Sequence, residues 1–215
     1  MVSPEFVLVV DSRAPHPVTD LLVTDNKAPT VGTITAGEVT NDATPVLSGK
    51  AEPGSDIIIY DKGIEIAHTV TDANGHWGLE LTTPLSDGPH GLTVVAVDAA
   101  GNVSQPTTEL VFSVDTSAPL AANSITVTDD VGPVKGTLTS GGTTDDTSPT
   151  LSGRAEPHST ISIYDGGTLL GQVVVDSAGE WRFTPEMPLN SGLHQFTTVV
   201  SDTAGNVSPP SPGLI

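Results

Sequence analysis

LSGKAEPGSDIIIYDKG at residues 47–63 recurs as LSGRAEPHSTISIYDGG at residues 151–167, an offset of 104 residues. The same offset relates VDAAGNVS at 97–104 to SDTAGNVS at 201–208, and VLVVDSRAP at 7–15 to VFSVDTSAP at 111–119. A match that continues without gaps over the length of one domain indicates two copies of one folding unit. We therefore predict domains at residues 11–115 and 116–215, with the D-x-x-A-P segments at 11–15 and 115–119 as the joints.

The two ends of the chain do not fit whole domains. MVSPEF differs in character from the rest and is interpreted as an expression remnant. Residues 7–10 align with the last strand of a domain, so residues 1–10 are predicted to hold that remnant plus the last strand of a preceding domain. Ile215 aligns with Val111, which predicts that the last strand of the second domain is cut short.

Apolar residues alternate with polar ones within each copy, as expected for strands with one buried face. Turn signals such as AEPG, DKG, DANG and DAAGN separate these runs at intervals near 8–14 residues. About seven short strands in 100 residues predict an all-β fold: two tandem immunoglobulin-like antiparallel β-sandwiches arranged as a rod. The predicted core stripes are Ile57/Ile59, Trp77/Leu79 and Leu92/Val94/Ala96 in the first copy, and Ile161/Ile163, Trp181/Phe183 and Phe196/Thr198/Val200 in the second.

Composition excludes several functions. The chain of 215 residues carries 26 acidic and 7 basic side chains, a formal net charge of −19, and no cysteine. This charge is incompatible with neutralising nucleic-acid phosphates, and no apolar run is long enough for membrane insertion. Without cysteine there are no disulfides and no thiolate metal sites.

The acidic residues concentrate in loops that a sandwich collects at its two ends. Asn41, Asp42, Asp61 and Asp87 should lie beside the linker residue Asp115, and Glu156, Asp176 and Asp202 at the facing end of the second domain. Clustered carboxylates repel unless a cation binds them, and Ca²⁺ takes 6–8 oxygen ligands with loose geometry. The predicted cofactor is therefore calcium. Its candidate ligands are Asp11, Asp25, Asn41, Asp42, Asp98, Asp115, Asp129, Asp130, Asp145, Asp146 and Asp202.

A purely structural interpretation competes with calcium binding. Aspartate at a turn often accepts backbone hydrogen bonds with no metal involved, which applies to Asp98 and Asp202 and also to Asp61, Asp72, Asp165 and Asp176. His90 and His194 recur in register and are interpreted as structural or solvent-facing. Asn102 and Asn206 are predicted to adopt the left-handed conformation after a glycine.

The chain also resembles a known family. TDDVGP at 128–133, TTDDTSPTLSGRAEPHSTISIYDGG at 143–167, DSAGEWRFTP at 176–185 and DTAGNVS at 202–208 resemble the bacterial immunoglobulin-like repeats of giant secreted adhesins and biofilm-associated proteins. The resemblance implies a rod of tandem domains, exported by Gram-negative bacteria and rigidified by calcium, that holds an adhesive tip away from the cell. In the first copy TDNKAP (24–29) and TNDATP (40–45) replace carboxylates of this pattern with amides.

Two functions are compatible with these features. The first is a secreted or cell-surface spacer whose partners are neighbouring repeats of the same polypeptide, while other regions reach a host-cell or biofilm surface. The alternative is a module that binds carbohydrate or a host surface, for which Tyr60 and Tyr164 are the recurring outward aromatics. We do not expect an enzyme, because the sequence has no G-x-S-x-G, P-loop or H-E-x-x-H motif.

Overall fold

The computed structural model describes residues 7–133 and 135–214, so the predicted remnant at 1–6 and Ile215 lie outside the described residues. The chain divides into two compact units, one ending at Thr116 and the next starting at Ser117. Residues 7–10, predicted as a strand of a preceding domain, are exposed and belong to no strand. Within the described ranges, no helix is long and apolar enough to cross a membrane.

The first unit is built from short strands that form two sheets. These strands are β1 (Thr19–Asp25), β2 (Gly32–Thr33), β3 (Val39–Thr40), β4 (Val46–Lys50), β5 (Asp56–Asp61), β6 (Ile64–Val70), β7 (His76–Glu80), β8 (Gly88–Val97) and β9 (Leu110–Val114). One sheet has the order β2-β1-β4-β7 and the other the order β3-β9-β8-β5-β6. All pairings are antiparallel except that of β3 with β9, which is parallel.

The second unit repeats this plan with fewer strands among its described residues. They are β10 (Asn123–Asp129), β11 (Gly136–Leu138), β12 (Thr150–Arg154), β13 (Thr160–Asp165), β14 (Thr168–Val174), β15 (Glu180–Phe183) and β16 (Phe196–Ser201). One sheet has the order β11-β10-β12-β15 and the other the order β14-β13-β16. The predicted all-β class with two immunoglobulin-like sandwiches is confirmed.

The cores follow the predicted alternation. Ile57 and Ile59 are 0 % exposed, as are their counterparts Ile161 and Ile163. The stripes on β8 and β16 are also buried, including Thr198 at 1 %. Each unit thus has a separate apolar core between its sheets.

A glycine beneath each buried tryptophan fixes the packing of the first sheet. A Cβ atom at Gly49 would lie 2.9 Å from the Trp77 ring and 3.0 Å from the Thr19 carbonyl oxygen. Gly153 has the same relation to Trp181, with 2.9 Å to the ring. A side chain at either position would collide with the indole and with a backbone carbonyl oxygen, so glycine is required there.

Candidate functional site

A threonine hydroxyl joins two buried carboxylates at the end of β1. Thr40 Oγ1 donates to Asp25 Oδ2 at 2.6 Å and accepts the Asp42 N–H at 3.0 Å. Asp25, Thr40 and Asp42 are 6 %, 3 % and 1 % exposed. We call these three residues the first bridged pair; they join the end of β1 to the loop after β3.

The second unit contains the same arrangement, the second bridged pair of Asp129, Thr144 and Asp146. Thr144 Oγ1 donates to Asp129 Oδ2 at 2.6 Å and accepts the Asp146 N–H at 2.9 Å. The Thr144 hydroxyl, together with the Val131 N–H, holds the pKa of Asp129 below its ordinary value. Both carboxylates are buried, but Thr144 itself is exposed.

The carboxylates of the first bridged pair also accept hydrogen bonds from nearby backbone groups. Asp25 Oδ1 accepts the Lys27 N–H at 2.7 Å, and the two oxygens of Asp42 accept the Thr44 and Asn26 N–H groups at 2.9 and 3.0 Å. Since a carboxylate offers about four acceptor positions, each retains some free capacity. The bridged pair therefore has a structural role in bracing two loops that does not use all of its oxygen lone pairs.

The residues that flank the two bridged pairs differ in charge. Beside the first bridged pair lie Asn26, Lys27 and Asn41. Asn41 Nδ2 donates to the Ala28 carbonyl oxygen at 3.3 Å, and the backbone carbonyl oxygen of Asn41 accepts Lys27 Nζ at 3.0 Å. Asn41 Oδ1 is buried without a hydrogen-bond partner.

At the matching positions the second unit has Asp130, Val131 and Asp145, and both aspartates are exposed. Its cluster thus contains four carboxylates, with Lys135 as a cation that acts on Asp129. At the matching positions the first unit has two carboxylates and a lysine, and its Asn26 Nδ2 donates to Glu80 Oε1 at 3.3 Å. The second bridged pair is therefore flanked by two aspartates where the first is flanked by two asparagines.

Asp98 and Asp202 close the same turn in the two units. Asp98 Oδ1 accepts the Ala100 and Asn102 N–H groups, each at 2.9 Å, and its Oδ2 accepts Asn102 Nδ2 at 2.8 Å. These bonds, that of the Asn102 side chain above all, lower the pKa of Asp98. Asp202 makes the matching bonds to Asn206 at 2.8 and 2.9 Å.

The glycine of this turn, rather than the asparagine, adopts the left-handed conformation, with φ of 87° at Gly101 and 95° at Gly205. The prediction for Asn102 and Asn206 is therefore wrong. The physical reason is that each asparagine side chain is held by the aspartate, while glycine adopts positive φ at no steric cost.

Asp11 lies beside the first of these turns. Asn102 Nδ2 donates to the Asp11 carbonyl oxygen at 3.3 Å, and Asp11 Oδ1 accepts the Arg13 N–H at 3.0 Å. Asp11 and Asp98 are thus brought to the same end of the first unit.

Asp115 lies at the opposite end of the first unit, next to the first bridged pair. Its N–H donates to the Thr40 carbonyl at 2.9 Å, and Asp87 Oδ1 accepts the Thr116 N–H at 2.9 Å. The structure places Asn41, Asp42, Asp87 and Asp115 together at this end.

The loops of the second unit that carry Glu156, Asp176 and Asp202 also share one end, because Arg154 pairs with Glu180 and Thr160 pairs with Ser201. Asp176 closes its turn by accepting the Ala178 and Glu180 N–H groups at 2.9 and 2.8 Å. Asp72 does the same in the first unit, which agrees with the turn role predicted for both.

A histidine–aspartate pair in each unit is the feature that sequence reasoning missed. His90 Nδ1 lies 2.7 Å from Asp61 Oδ2, and its Nε2 lies 2.7 Å from the Ser86 carbonyl oxygen. His194 repeats this with Asp165 and the Asn190 carbonyl, both at 2.7 Å. The recurrence of both residue types in register is the signal in the sequence, but a turn role alone accounts for each aspartate locally.

Both ring nitrogens of each histidine face an oxygen atom: Nδ1 lies next to the aspartate carboxylate and Nε2 next to a backbone carbonyl. The hydrogen bond to Asp165, followed by that to the Asn190 carbonyl, raises the pKa of His194. His90 is 5 % exposed and His194 24 % by side chain, which agrees with a structural role.

Two further observations concern ligands. Among residues 7–133 and 135–214, no three histidine, aspartate or glutamate side chains converge closely enough to hold a metal ion by themselves. Tyr60 and Tyr164 are half-buried, so neither forms a fully exposed aromatic platform.

Comparison with known proteins places the chain among immunoglobulin-like domains. A family model described as bacterial Ig-like domain matches residues 17–116 and again residues 121–214. No curated protein matches the chain.

Among solved structures, the chain is similar to the fibronectin(III)-like modules of Clostridium thermocellum CbhA. The TM-score is 0.50 at 16 % identity, covering 88 % of this chain and 90 % of that one. It is also similar to the BSP domain of a biofilm-associated protein, with a TM-score of 0.31 at 18 % identity over 84 % of this chain and 28 % of that one. The human OSCAR ligand-binding domain gives 0.38 at 15 %, with 94 % and 100 % covered. At these identities the likeness concerns the fold alone.

Proposed function

Because this chain belongs to the family of bacterial Ig-like domains over both of its units, we propose that it forms structural spacer repeats of a large bacterial adhesin. The adhesin is displayed at the cell surface or secreted, and supports cell adhesion or biofilm formation. The partners of these two units are neighbouring repeats of the same polypeptide, and the adhesive contact is made by other regions.

The observation that carries this proposal is that each polar cluster occurs twice, in the same place. The bridged pairs, the aspartate-closed turns and the histidine–aspartate pairs recur at positions 104 residues apart. Their polar atoms are used mainly to hold loops of the same unit together. Such duplication is expected of a framework in which each repeat is stabilised by its own internal interactions.

A spacer must bear tension, which single-molecule pulling measures directly. Each family match spans about 100 residues, so each unit should release a contour length near 30–36 nm when it unfolds, at about 3.3–3.6 Å per residue. We expect two such events of equal size at clearly resolved forces. Extension of both units without a resolvable force would contradict a load-bearing role.

We extend the proposal to calcium as the ion that stiffens the array. The second unit supports this because the exposed Asp130 and Asp145 are sequence neighbours of the buried Asp129 and Asp146, in two loops that the bond from the Asp130 N–H to Asp146 Oδ2 joins at 3.3 Å. Oxygen ligands of this kind suit Ca²⁺, whose coordination can be completed by backbone carbonyls and water. Asp11 and Asp98 lie at the same end of the first unit. Their counterparts 104 residues later are Asp115 and Asp202. We place a further calcium ion at these two residues, at the joint.

The two copies provide a natural test of the calcium proposal. Asn26 and Asn41 already occupy the positions of Asp130 and Asp145, so the double variant Asp130→Asn, Asp145→Asn gives the second unit side chains that the fold accepts in the first. We expect Ca²⁺ to raise the melting temperature of the unmodified chain, and the double variant to lose much of that increase.

Matched controls separate binding from charge screening. A site occupied at 100 times its Kd contributes about 2.7 kcal/mol, whereas sodium chloride at equal ionic strength should contribute little. Mg²⁺ should be less effective because it requires tighter octahedral geometry. Equal effects of both divalent ions, or an unchanged response in the double variant, would refute calcium binding at this cluster.

The rod arrangement has its own test. Small-angle X-ray scattering should give a longer maximum dimension with Ca²⁺ than with a chelator, and Asp115→Ala should reduce the difference. Asp72→Ala is the control, because Asp72 only closes its own turn. An identical maximum dimension in both solutions would contradict calcium-dependent stiffening.

The alternative function, a carbohydrate-binding module, is tested on a glycan array. Binding that is lost in the variant Tyr164→Ala would support this alternative.

A further inference from the structure

Lys27 connects the same two segments of the first unit as the Thr40 hydroxyl. Its backbone N–H donates to Asp25 Oδ1 at 2.7 Å, and its Nζ donates to the backbone carbonyl oxygen of Asn41 at 3.0 Å. Lys27 follows β1 and Asn41 follows β3, so the lysine joins the end of one strand to the loop after the other. The ammonium group is therefore held at the loop that carries Asp42.

Asn41 requires a hydrogen-bond donor at this place. It is 3 % exposed, its Nδ2 donates to the Ala28 carbonyl oxygen at 3.3 Å, and its Oδ1 is buried without a partner. An ammonium group has three N–H donors, of which the bond to the Asn41 carbonyl oxygen uses one. The two oxygen atoms of Asn41 therefore suit a donor such as Lys27 Nζ.

The first bridged pair does not fit the calcium ion that the family resemblance implies. Every oxygen of its two carboxylates already accepts a hydrogen bond. The donors are the Thr40 hydroxyl and the N–H groups of Asn26, Lys27 and Thr44. Ca²⁺ takes 6–8 oxygen ligands, whereas the residues beside this pair carry two amides and an ammonium group. A divalent ion would have to displace the lysine, because two cations repel at such short range.

The second unit has a different loop at the matching place. The replacements are Val131 for Lys27, Gly132 for Ala28 and Asp145 for Asn41. A Cβ atom at Gly132 would come within 3.0 Å of Asp145 Cγ, so this aspartate packs against a glycine. The first unit therefore combines lysine, alanine and asparagine, and the second combines valine, glycine and aspartate.

We propose that the Lys27 ammonium group is the permanent counter-cation of the first bridged pair and takes the place of a calcium ion there. Buried carboxylates are costly without a positive charge nearby, and an ammonium group of the chain supplies that charge at any calcium concentration. The contrast with the second unit rests on the calcium binding proposed above, whereas the role of Lys27 in the first unit does not.

This assignment distinguishes the two units by the source of their positive charge. The second unit has Lys135 acting on Asp129, but it also adds Asp130 and Asp145 at the positions of two asparagines. It is therefore the unit that takes a calcium ion from solution. Removing calcium should weaken the loops of the second bridged pair and leave those of the first unchanged.

Three lysine substitutions separate a local role from a general effect of charge. Lys27→Met removes the ammonium group and keeps an unbranched side chain, and Lys27→Arg keeps the positive charge. Lys50→Met is the control, because Lys50 is exposed with its Nζ 3.0 Å from Asp20 Oδ2. Both methionine variants change the net charge of −19 equally. Each chain is unfolded with urea in a chelator, in a Trp181→Phe background where Trp77 reports the first unit.

We expect Lys27→Met to raise the unfolding equilibrium constant of the first unit roughly three- to tenfold. The effect should be smaller than that of a fully buried charged hydrogen bond, because Lys27 is exposed. Lys27→Arg should retain most of the stability, and Lys50→Met should change the constant by less than about twofold. Equal changes in the two methionine variants, or no change in Lys27→Met, would overturn the proposal.

A fourth variant gives the first unit the loop residues of the second. It carries Asn26→Asp, Lys27→Val, Ala28→Gly and Asn41→Asp, so that residues 24–29 read TDDVGP as residues 128–133 do. In the chelator this exchange variant should be less stable than the unmodified chain. Ca²⁺ should raise its urea midpoint by more than it raises the midpoint of the unmodified first unit. Because the two chains are compared in the same buffers, an ion bound elsewhere contributes equally to both.

The outcomes distinguish this proposal from the proposed function. The second unit is followed through Trp181 in a Trp77→Phe background. If it responds to Ca²⁺ but the exchange variant gains no response in the first unit, the residues around Lys27 do not decide calcium dependence and the proposal is wrong. If neither unit responds, calcium binding at the second cluster is refuted, and the comparison of Lys27→Met with Lys50→Met in the chelator decides the role of Lys27.

Discussion

Replacing Thr40 with valine should lower the free energy of unfolding of the first unit by about 2–4 kcal/mol. Valine keeps the shape of the side chain, so the change removes the hydroxyl and little else. Asp25 Oδ2 then loses a 2.6 Å donor, and the Asp42 N–H loses its 3.0 Å acceptor.

The magnitude follows from the burial of these groups. A hydrogen bond to a charged group contributes about 1.5–3 kcal/mol, and a buried unsatisfied amide costs about 1–3 kcal/mol. Thr40, Asp25 and Asp42 are 3 %, 6 % and 1 % exposed, so water cannot replace the hydroxyl without local opening. One hydroxyl serves both groups and the loops can relax, so the loss of stability should be smaller than the sum of these two contributions.

Thr144→Val is the matched control in the same chain. It removes the equivalent hydroxyl at 2.6 and 2.9 Å from the same groups, but Thr144 is exposed. Water can therefore reach the vacated position, and we expect a loss of about 1 kcal/mol. Thr40→Ser keeps the hydroxyl and should retain most of the stability.

Urea unfolding followed by tryptophan fluorescence measures these differences for each unit. The chain has two tryptophans, Trp77 in the first core and Trp181 in the second. A Trp181→Phe background therefore reports the first unit, and Trp77→Phe reports the second. With a denaturant slope of about 2 kcal/mol per molar, the midpoint of the first unit should fall by about 1–2 M. A loss under about 0.5 kcal/mol for Thr40→Val, or an equal loss for Thr144→Val, would refute the bridging role.

The remaining predictions concern the histidine pair and the tryptophan contact. Because the pKa of His194 is raised above 6.5 in the folded state, its pairing with Asp165 contributes stability fully below pH 6.5, and this contribution is lost as pH rises through the higher folded pKa. Unfolding of the second unit between pH 6 and 9 should show this decline, and His194→Asn should flatten it; an identical pH slope in the variant would contradict the assignment. Gly49→Ala should destabilise the first unit by about 1–3 kcal/mol because the added carbon meets the tryptophan ring at 2.9 Å, whereas Gly78→Ala, with only a carbonyl oxygen at 3.9 Å, should change stability by less than about 1 kcal/mol. Comparable losses in both glycine variants would show that the ring contact does not limit the packing.

The sequence alone was sufficient for the repeat, the fold class and most of the core. The offset of 104 residues and the alternation at Ile57 and Ile59 depend only on local order along the chain, since successive side chains of a strand face opposite sides. The turn roles of Asp72 and Asp176 were predictable for the same reason, because each accepts N–H groups within four residues.

Contacts between distant residues required the tertiary structure. The Asp61–His90 pair joins residues 29 positions apart, and Thr40 meets Asp25 across 15, so no local pattern distinguishes these side chains from ordinary turn residues. The calcium ligands were proposed one loop at a time, and only the fold shows which carboxylates already accept hydrogen bonds from their own unit. Strand pairing and burial depend on residues far apart in sequence, whereas hydrophobic periodicity and turn formation depend on neighbouring residues.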